Sequence, residues 1–221
     1  MRQIRWSKKT DELVRTVAGR CRPRLQSELG HWMEDNSRFQ SFVLAHQDKI
    51  RKKLSVDDEE ARLDVRAELL VAERLLMDRR FAVAFETYGA RRVGPDLSVA
   101  YRTNERFNLE VTRVRSVEGL DLGKLANVIA AKLRQLPGDV ANAVVIVGRE
   151  LELTADSVSQ AMRLLRSRMA GEVAAQYPRL SGVVVVDEAS EPMANSFWVN
   201  GEARHSLSTV VVSAITACFG R

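Results

Sequence analysis

The chain has 221 residues, of which 45% are hydrophobic and 29% are charged. This composition is typical of a globular protein and excludes a disordered chain, a collagen-like chain and a repeat array. The net charge is +5 and the isoelectric point is about 9.5, a moderate excess that permits an anionic partner but does not require one. Its longest apolar runs are four or five residues, so no membrane span is expected. The two cysteines are far apart and no secretory signal is visible, which together indicate a cytoplasmic protein.

Residues 1–56 form the first region of the chain, and their pattern predicts an all-helical, basic extension. A helix start follows at residues 55–60, where cap residues precede a run of acids. The sequence therefore predicts two regions, a helical extension at residues 1–56 and an α/β domain at residues 57–221. The basic helices of the extension would suit a clamp on DNA, a dimerisation element or a solvated surface.

The second region alternates between helical and strand patterns, as a mixed α/β domain does. Short apolar runs bounded by turn residues predict its strands, and longer amphipathic stretches predict its helices. In chain order, the sequence predicts a helix at 57–80, strands at 81–88, 97–101 and 107–114, a helix at 120–136, a strand at 143–147, a helix at 155–169, strands at 183–186 and 197–199, and a closing helix from 208.

Two acids stand on the predicted hairpin formed by strands 97–101 and 107–114. With the turn centred near Asn104, Glu110 would face Ser98, and Asp96 would face Thr112. The two carboxylates then become diagonal neighbours on one sheet face, roughly 7–8 Å apart at Cα. Carboxylates at that separation can share a hard cation such as Mg²⁺. A slip of one residue would place them on opposite faces, so the prediction depends on register.

One charged residue on each flanking helix falls inside an apolar stripe. Glu68 projects between Ala61 and Leu75, and Lys132 projects into the stripe of the later helix. A buried charge needs a partner. A single inward Glu is more often one half of an ion pair than a metal ligand, and a single Lys often snorkels to the sheet edge. The combination of an inward acid, two acids on one face and an inward base is more informative than any one of them.

These segments resemble the PD-(D/E)xK nuclease superfamily, which has the restriction-endonuclease-like fold. The resemblance rests on GPDLSV at 94–99 and NLEVT at 108–112, with AELLVA at 67–72 and KLRQL at 132–136 as flanking helices, and it covers residues 58–150. It implies a core of helix, three-strand meander, helix and strand, here with an N-terminal helical extension. The extension itself resembles no family that we can name.

The resemblance implies a nuclease that needs Mg²⁺ or Mn²⁺ and hydrolyses phosphodiester bonds, with DNA as the expected substrate. By this likeness Asp96, Glu110 and the backbone carbonyl of Val111 would bind the metal, and Glu68 would bind it directly or through water. Thr112 stands where the family has a lysine, and Lys132 would replace that cation from the neighbouring helix. The catalytic set would then be Glu68, Asp96, Glu110 and Lys132.

Arginines flank both acids of the hairpin. Arg92, Arg113 and Arg115 are candidates for contacts to nucleic-acid phosphates, although any single arginine is more often ordinary surface charge. A homodimer would allow two strands to be cut, as restriction-type enzymes often do. Two alternatives stay open: a catalytically inactive domain of the same fold that binds nucleic acid or a protein partner, and a structural oligomerising protein.

Overall fold

The computed structural model describes residues 6–86, 94–114, 121–151, 153–168, 172–189 and 192–220. The chain divides into two compact units, Met1–Arg79 and Arg80–Arg221. We call these the helical unit and the sheet unit. The division groups the long fifth helix with the helices before it. The expected domain boundary after residue 56 rests on the change of sequence pattern and stays a prediction.

The helical unit consists of helices in the part of it that the structure describes. Side-chain caps begin several of them: the Ser7 hydroxyl accepts from the Thr10 N–H, and the Asp58 carboxylate accepts from the Glu60 and Ala61 N–H groups. Pro23 occupies the first position of its helix, where its missing N–H costs no hydrogen bond. The helices are α1 (Lys8–Ala18), α2 (Pro23–Asp35), α3 (Ser37–Ala45), α4 (Gln47–Leu54) and α5 (Glu59–Leu76).

Polar groups on different helices join the elements of this unit. The Arg66 guanidinium on α5 donates to the Glu28 carboxylate on α2, with one contact at 2.6 Å. The Arg38 side chain on α3 donates to the carbonyls of Leu76 and Asp78, each at 2.8 Å, and these carbonyls belong to the end of α5. The expectation that residues 1–56 are helical is met by four helices within the described part.

The sheet unit alternates strands and helices along the chain. The strand Ala141–Gly148 is almost entirely apolar and is buried at every residue, as a strand covered on both faces should be. The elements are β1 (Phe81–Phe85), β2 (Leu97–Tyr101), β3 (Glu105–Arg113), α6 (Leu122–Leu133), β4 (Ala141–Gly148), α7 (Ala155–Arg168), α8 (Glu172–Gln176), a 3₁₀ turn (Tyr177–Arg179), β5 (Gly182–Asp187), β6 (Ala194–Val199) and α9 (Thr209–Phe219).

The described strands form one mixed sheet of six in the order β1-β2-β3-β4-β5-β6. The first three make an antiparallel meander, β3, β4 and β5 are parallel, and β6 returns antiparallel to β5. Because parallel neighbours need a crossover connection, α6 links β3 to β4, and α7 lies in the connection from β4 to β5. The predicted α/β class is therefore confirmed.

Helices α6 and α7 cover the β4–β5 part of the sheet face that carries Glu110. Glu110 pairs in register with Val144, and Val144 pairs with Val183, so the three side chains share one face. Over Val144 and Val183 this face joins a core cluster that includes Leu125 of α6 and Val158 of α7. The Lys132 end of α6 consequently lies close to Glu110.

The predicted hairpin register was wrong by two residues. Leu97 pairs with Leu109 and Ser98 with Asn108, so the position of Asp96 falls directly opposite Glu110 instead of diagonal to it. The turn is tighter than expected because Arg102 and Thr103 adopt left-handed φ angles of 49° and 67°. Two such residues suit a type I′ turn, which matches the twist of paired strands. A shift of two keeps every side chain on its predicted face, so the same-face expectation for the two acids holds.

Most element boundaries lie within a few residues of the expected ones. Strand β2 matches its expected range, while β3 begins at Glu105 because the turn is short, and α6 ends at Leu133, before the expected 136. The last residues of the first expected strand, 87 and 88, lie outside the described residues. No helix in the described part of the chain is long and apolar enough to cross a bilayer.

Candidate active site

Asp96 is held at the start of the hairpin by the strand that follows it. The Val111 N–H on β3 donates to Oδ2 of Asp96 over 2.8 Å. Asp96 is half-buried and lies between Pro95 and the first residue of β2. This hydrogen bond places the Asp96 carboxylate next to the backbone segment that carries Glu110.

Glu110 lies inside β3 and is only 1% exposed. Its Oε1 accepts a hydrogen bond from the Lys132 ammonium at 2.7 Å. Its Oε2 is buried and has no hydrogen-bond partner within the described part of the chain. Leaving a buried carboxylate oxygen unsatisfied costs free energy, so this atom marks the place where a further ligand would be favourable.

Lys132 stands in the last turn of α6, and its side chain is 22% exposed. It projects inward, as the helical stripe predicted, and its partner is the buried carboxylate of Glu110. The cation therefore enters the cluster of hairpin acids from the adjacent helix and not from the hairpin itself. The structure thus brings together three of the predicted site residues, Asp96, Glu110 and Lys132.

The pKa of Glu110 is raised from 4.5 to about 7. Burial is the main cause, because a low-dielectric surrounding disfavours the charged form. The negative charge of Asp96 raises this pKa as well, and the Lys132 ammonium opposes both effects. Near neutral pH the carboxyl group is thus poised between its two protonation states, and a second positive charge at this position would favour the ionised form.

Glu68, the fourth predicted site residue, has its observed ion pair within the helical unit. Lys53 on α4 donates to both of its carboxylate oxygens, at 2.8 Å to Oε1 and 2.7 Å to Oε2. The Glu68 side chain is 8% exposed and the Lys53 side chain is 27% exposed. The inward projection of Glu68 is therefore explained by an ion pair, and its binding of a metal remains a prediction.

The predicted phosphate contacts are only partly described. Arg92 and Arg115 lie outside the described residues. Arg113 ends β3 three residues after Glu110, so strand alternation places it on the opposite face of the sheet. Val111 directly follows Glu110, and its N–H donates a hydrogen bond to the Asp96 carboxylate.

A third acid, Glu86, was not predicted and lies opposite Asp96 in the strand pairing. Glu86 directly follows β1, and its N–H donates to the Asp96 carbonyl over 2.9 Å. Its φ of 44° is left-handed, which is uncommon for a residue with a side chain and often marks a functional or strained position. Period-two alternation places Glu86 on the face of Ala82 and Ala84, and the pairing of Ala84 with Ser98 makes this the face of Asp96.

A ladder of buried amides also escaped prediction. Asn108 accepts from the Ser98 hydroxyl at 3.0 Å and donates to Oδ1 of Asn142 at 3.2 Å, which links β2, β3 and β4. Asn142 is fully buried, and its amide donates to the Pro137, Val140 and Arg179 carbonyls. In the sequence, the only sign of this ladder is that Asn108 and Asn142 each lie between two apolar residues. The ladder lies one pleat from the Asp96–Glu110 position and helps to fix the register there.

A cleft of about 560 Å³ lies over β1, β2 and β3, at the part of the meander that carries Ser98 and Asn108. Its floor is made of small side chains, among them Ala84, Ser98 and Ala100, and Arg106 stands exposed at its side. Ser98 and Asn108 are two residues from Asp96 and Glu110 along their strands, so the cleft extends along the face that carries the acids.

Within the described residues, no group of three or more His, Cys, Asp or Glu side chains is arranged to hold a metal ion. The candidate site instead offers two carboxylates and backbone oxygen. Comparison of the chain with protein-family models, with curated proteins and with solved structures returned no match. The functional conclusion therefore depends on the geometry of the site and on the sequence resemblance.

Proposed function

We propose that this protein is a metal-dependent nuclease that hydrolyses phosphodiester bonds, with DNA as its substrate. The observation that carries the proposal is the cluster of Asp96, Glu110 and Lys132. Two acids face each other across a hairpin, and a lysine reaches the carboxylate of the buried one. The second oxygen of that carboxylate has no hydrogen-bond partner in the part of the chain that the structure describes. The order of helix, three-strand meander, helix and parallel strand supports the restriction-endonuclease-like core that the resemblance implies.

The residues present fit a hard divalent cation. Among the described residues Glu110 Oε2 has no hydrogen-bond partner, and Asp96 supplies a second carboxylate. Oxygen ligands of this kind are those that Mg²⁺ prefers. Asp96, Glu110 and the Val111 carbonyl would hold the ion. A bound Mg²⁺ or Mn²⁺ would neutralise charge on the scissile phosphate and lower the pKa of water.

The protein's own groups have distinct roles in this proposal. With a pKa of about 7, Glu110 is divided between its protonated and ionised forms near neutral pH, and a cation held at Oε2 would favour the ionised form. Lys132 holds a positive charge at the site, where it would stabilise the negative charge that develops on the phosphate oxygens. Arg106, exposed beside the cleft, is suited to hold a phosphate of the substrate strand.

The inactive alternative has one observation in its favour, since Lys132 already neutralises one oxygen of Glu110. A cleavage assay separates the two. Supercoiled plasmid, single-stranded DNA and single-stranded RNA are incubated with the full chain in Mg²⁺, Mn²⁺ or EDTA. We expect metal-dependent cutting of DNA, reduced by a factor of about 10²–10³ in Lys132→Met. Glu110→Gln and Asp96→Asn should lose cutting more completely.

The matched control is Lys124→Met, which removes an exposed lysine from the same helix. It should cut as the wild type does. Equal activity in Glu110→Gln and wild type would contradict the assigned site. No cutting of any substrate, together with no Mg²⁺ binding by calorimetry, would favour the inactive alternative. Cutting of both strands at one place would support the predicted homodimer.

A further inference from the structure

The helical unit contains a cavity of its own, with a volume of about 350 Å³. It lies where the C-terminal turns of α1 and α4 meet, since its lining comes from residues 15–20 and 51–55. Four of the lining residues are cations, Arg15, Arg20, Arg51 and Lys52, and none is an acid. A concave surface lined by cations from two elements favours an anionic ligand.

Two of these cations are balanced by local ion pairs and two are not. Arg15 pairs with Asp11 and Arg51 with Asp48, each at 2.8 Å along its own helix. Arg20 and Lys52 are exposed, and neither forms an ion pair with any residue that the structure describes. The cavity therefore keeps an excess of two positive charges after the local pairs are counted.

Helix dipoles do not account for this excess. A helix C-terminus carries roughly −0.5 charge, so two of them offset about one of the two unpaired cations. Backbone hydrogen bonds are also made at both helix ends, since the Cys21 N–H donates to the Ala18 carbonyl at 2.8 Å and the Ser55 N–H to the Arg51 carbonyl at 2.9 Å. Stabilisation of the helix ends is thus a partial explanation of the cationic cavity.

The charge of the whole chain is concentrated in this region. Residues 1–56 contain 13 Lys and Arg against 6 Asp and Glu, whereas residues 57–221 contain 21 against 23. The overall positive charge therefore comes from the segment that builds the cavity. Buried Val17 and Leu54 add an apolar floor, and Thr16 and Ser55 add hydroxyls. A phosphate joined to a sugar presents the matching combination of charge, hydrogen-bond acceptors and apolar surface.

We propose that this cavity binds a phosphate of a nucleic-acid backbone and that Arg20 and Lys52 are its main contacts. Neutralising phosphates with unpaired cations releases counterions, which is the main source of sequence-independent binding to nucleic acids. The proposal concerns binding alone, so it does not depend on catalysis at the Asp96–Glu110 site.

The test is the binding of fluorescein-labelled DNA by the full chain, followed by anisotropy in EDTA at several salt concentrations. Arg20→Ala/Lys52→Ala should raise the Kd about tenfold or more. It should also reduce the slope of log K against log[salt] by about 0.7 per lost contact for single strands, or about 0.9 for duplex. The control, Lys8→Ala/Lys9→Ala, removes the same charge from the opposite end of α1 and should leave the Kd within about twofold.

Two results would overturn the proposal. Equal weakening in both double variants would show diffuse attraction to a basic surface. An unchanged oligonucleotide Kd, with inorganic phosphate binding by calorimetry lost in Arg20→Ala/Lys52→Ala, would assign the cavity to a free anion. Thermal melting verifies that both variants are folded. Cutting is measured separately with Mg²⁺ in the two double variants, whose substitutions lie outside the Asp96–Glu110 site, so failure of the nuclease proposal and failure of this one give different results.

Discussion

The two units each bury a glutamate against a lysine, and they do so differently. In the helical unit, Lys53 donates to both oxygens of Glu68. In the sheet unit, Lys132 donates to Oε1 of Glu110 only, and Oε2 is left without a partner in the described residues. We call these the Glu68 pair and the Glu110 pair. The Glu110 pair also has a second carboxylate, Asp96, that raises the glutamate pKa.

The comparison shows that an inward charge on a helix is not by itself evidence of a site. Both pairs begin with the same sequence signal, a charged residue in an apolar stripe. The Glu68 pair is a satisfied ion pair between two helices. In the Glu110 pair, Oε2 accepts no hydrogen bond from any residue the structure describes, and a second acid lies beside it. Unsatisfied buried groups cost stability, so they are informative where they occur.

The largest expected difference follows from breaking the Glu68 pair. Lys53→Met should lower the free energy of unfolding by about 3–5 kcal/mol, because both oxygens of a buried carboxylate lose the charged hydrogen bonds that Lys53 donates. Urea denaturation at neutral pH measures this. The neighbouring Lys52→Met, at an exposed position, should change stability by less than about 0.5 kcal/mol. Similar small losses in both variants would refute the role of Lys53.

The pH dependence of stability should distinguish the Glu110 pair. The folded pKa of Glu110 is raised to about 7, so its stabilising contribution is full below about pH 4.5 and is lost as pH rises through about 7. Metal-free wild type should therefore become less stable than Glu110→Gln by about 3 kcal/mol above this window, and match it below about pH 4.5. Chemical denaturation across this range provides the measurement. Parallel profiles for the two proteins would argue against a raised pKa.

Mg²⁺ should stabilise the protein through one pair only. A cation at about 100 times its Kd adds about 2.7 kcal/mol to folding stability. We expect the melting temperature to rise with Mg²⁺ in wild type and in Glu68→Gln, but not in Glu110→Gln. If Glu68→Gln also lost the response, Glu68 would be a metal ligand, as the family resemblance implies, and the distinction between the pairs would disappear.

The smallest expected effect concerns the amide ladder beside the Glu110 pair. Asn108→Ala removes the link between Ser98 and Asn142, and should cost about 1–3 kcal/mol because buried polar groups lose their partner. Ser98→Ala, which removes a half-buried hydroxyl, should cost less. Urea denaturation compares the two. An equal cost would mean that the buried Asn142 contact contributes nothing beyond the hydroxyl bond.

Much of the fold could be predicted because its signals are local. The apolar runs predicted the parallel strands, and the acids after Asp58 predicted the start of α5. The register of the hairpin was missed because it depends on two left-handed residues, Arg102 and Thr103, neither of which is the usual Gly or Asn. Glu86 was missed for a related reason, since its place opposite Asp96 depends on how β1 pairs.

The sequence by itself determined the direction in which each charge projects. Strand alternation put Asp96 and Glu110 on one face, and helical periodicity turned Glu68 and Lys132 inward. Only the tertiary structure decided their partners. Periodicity orients a side chain relative to its own element, but an ion pair depends on which elements pack together. Lys53 reaches Glu68 because α4 lies beside α5, and Lys132 reaches Glu110 because α6 crosses from β3 to β4.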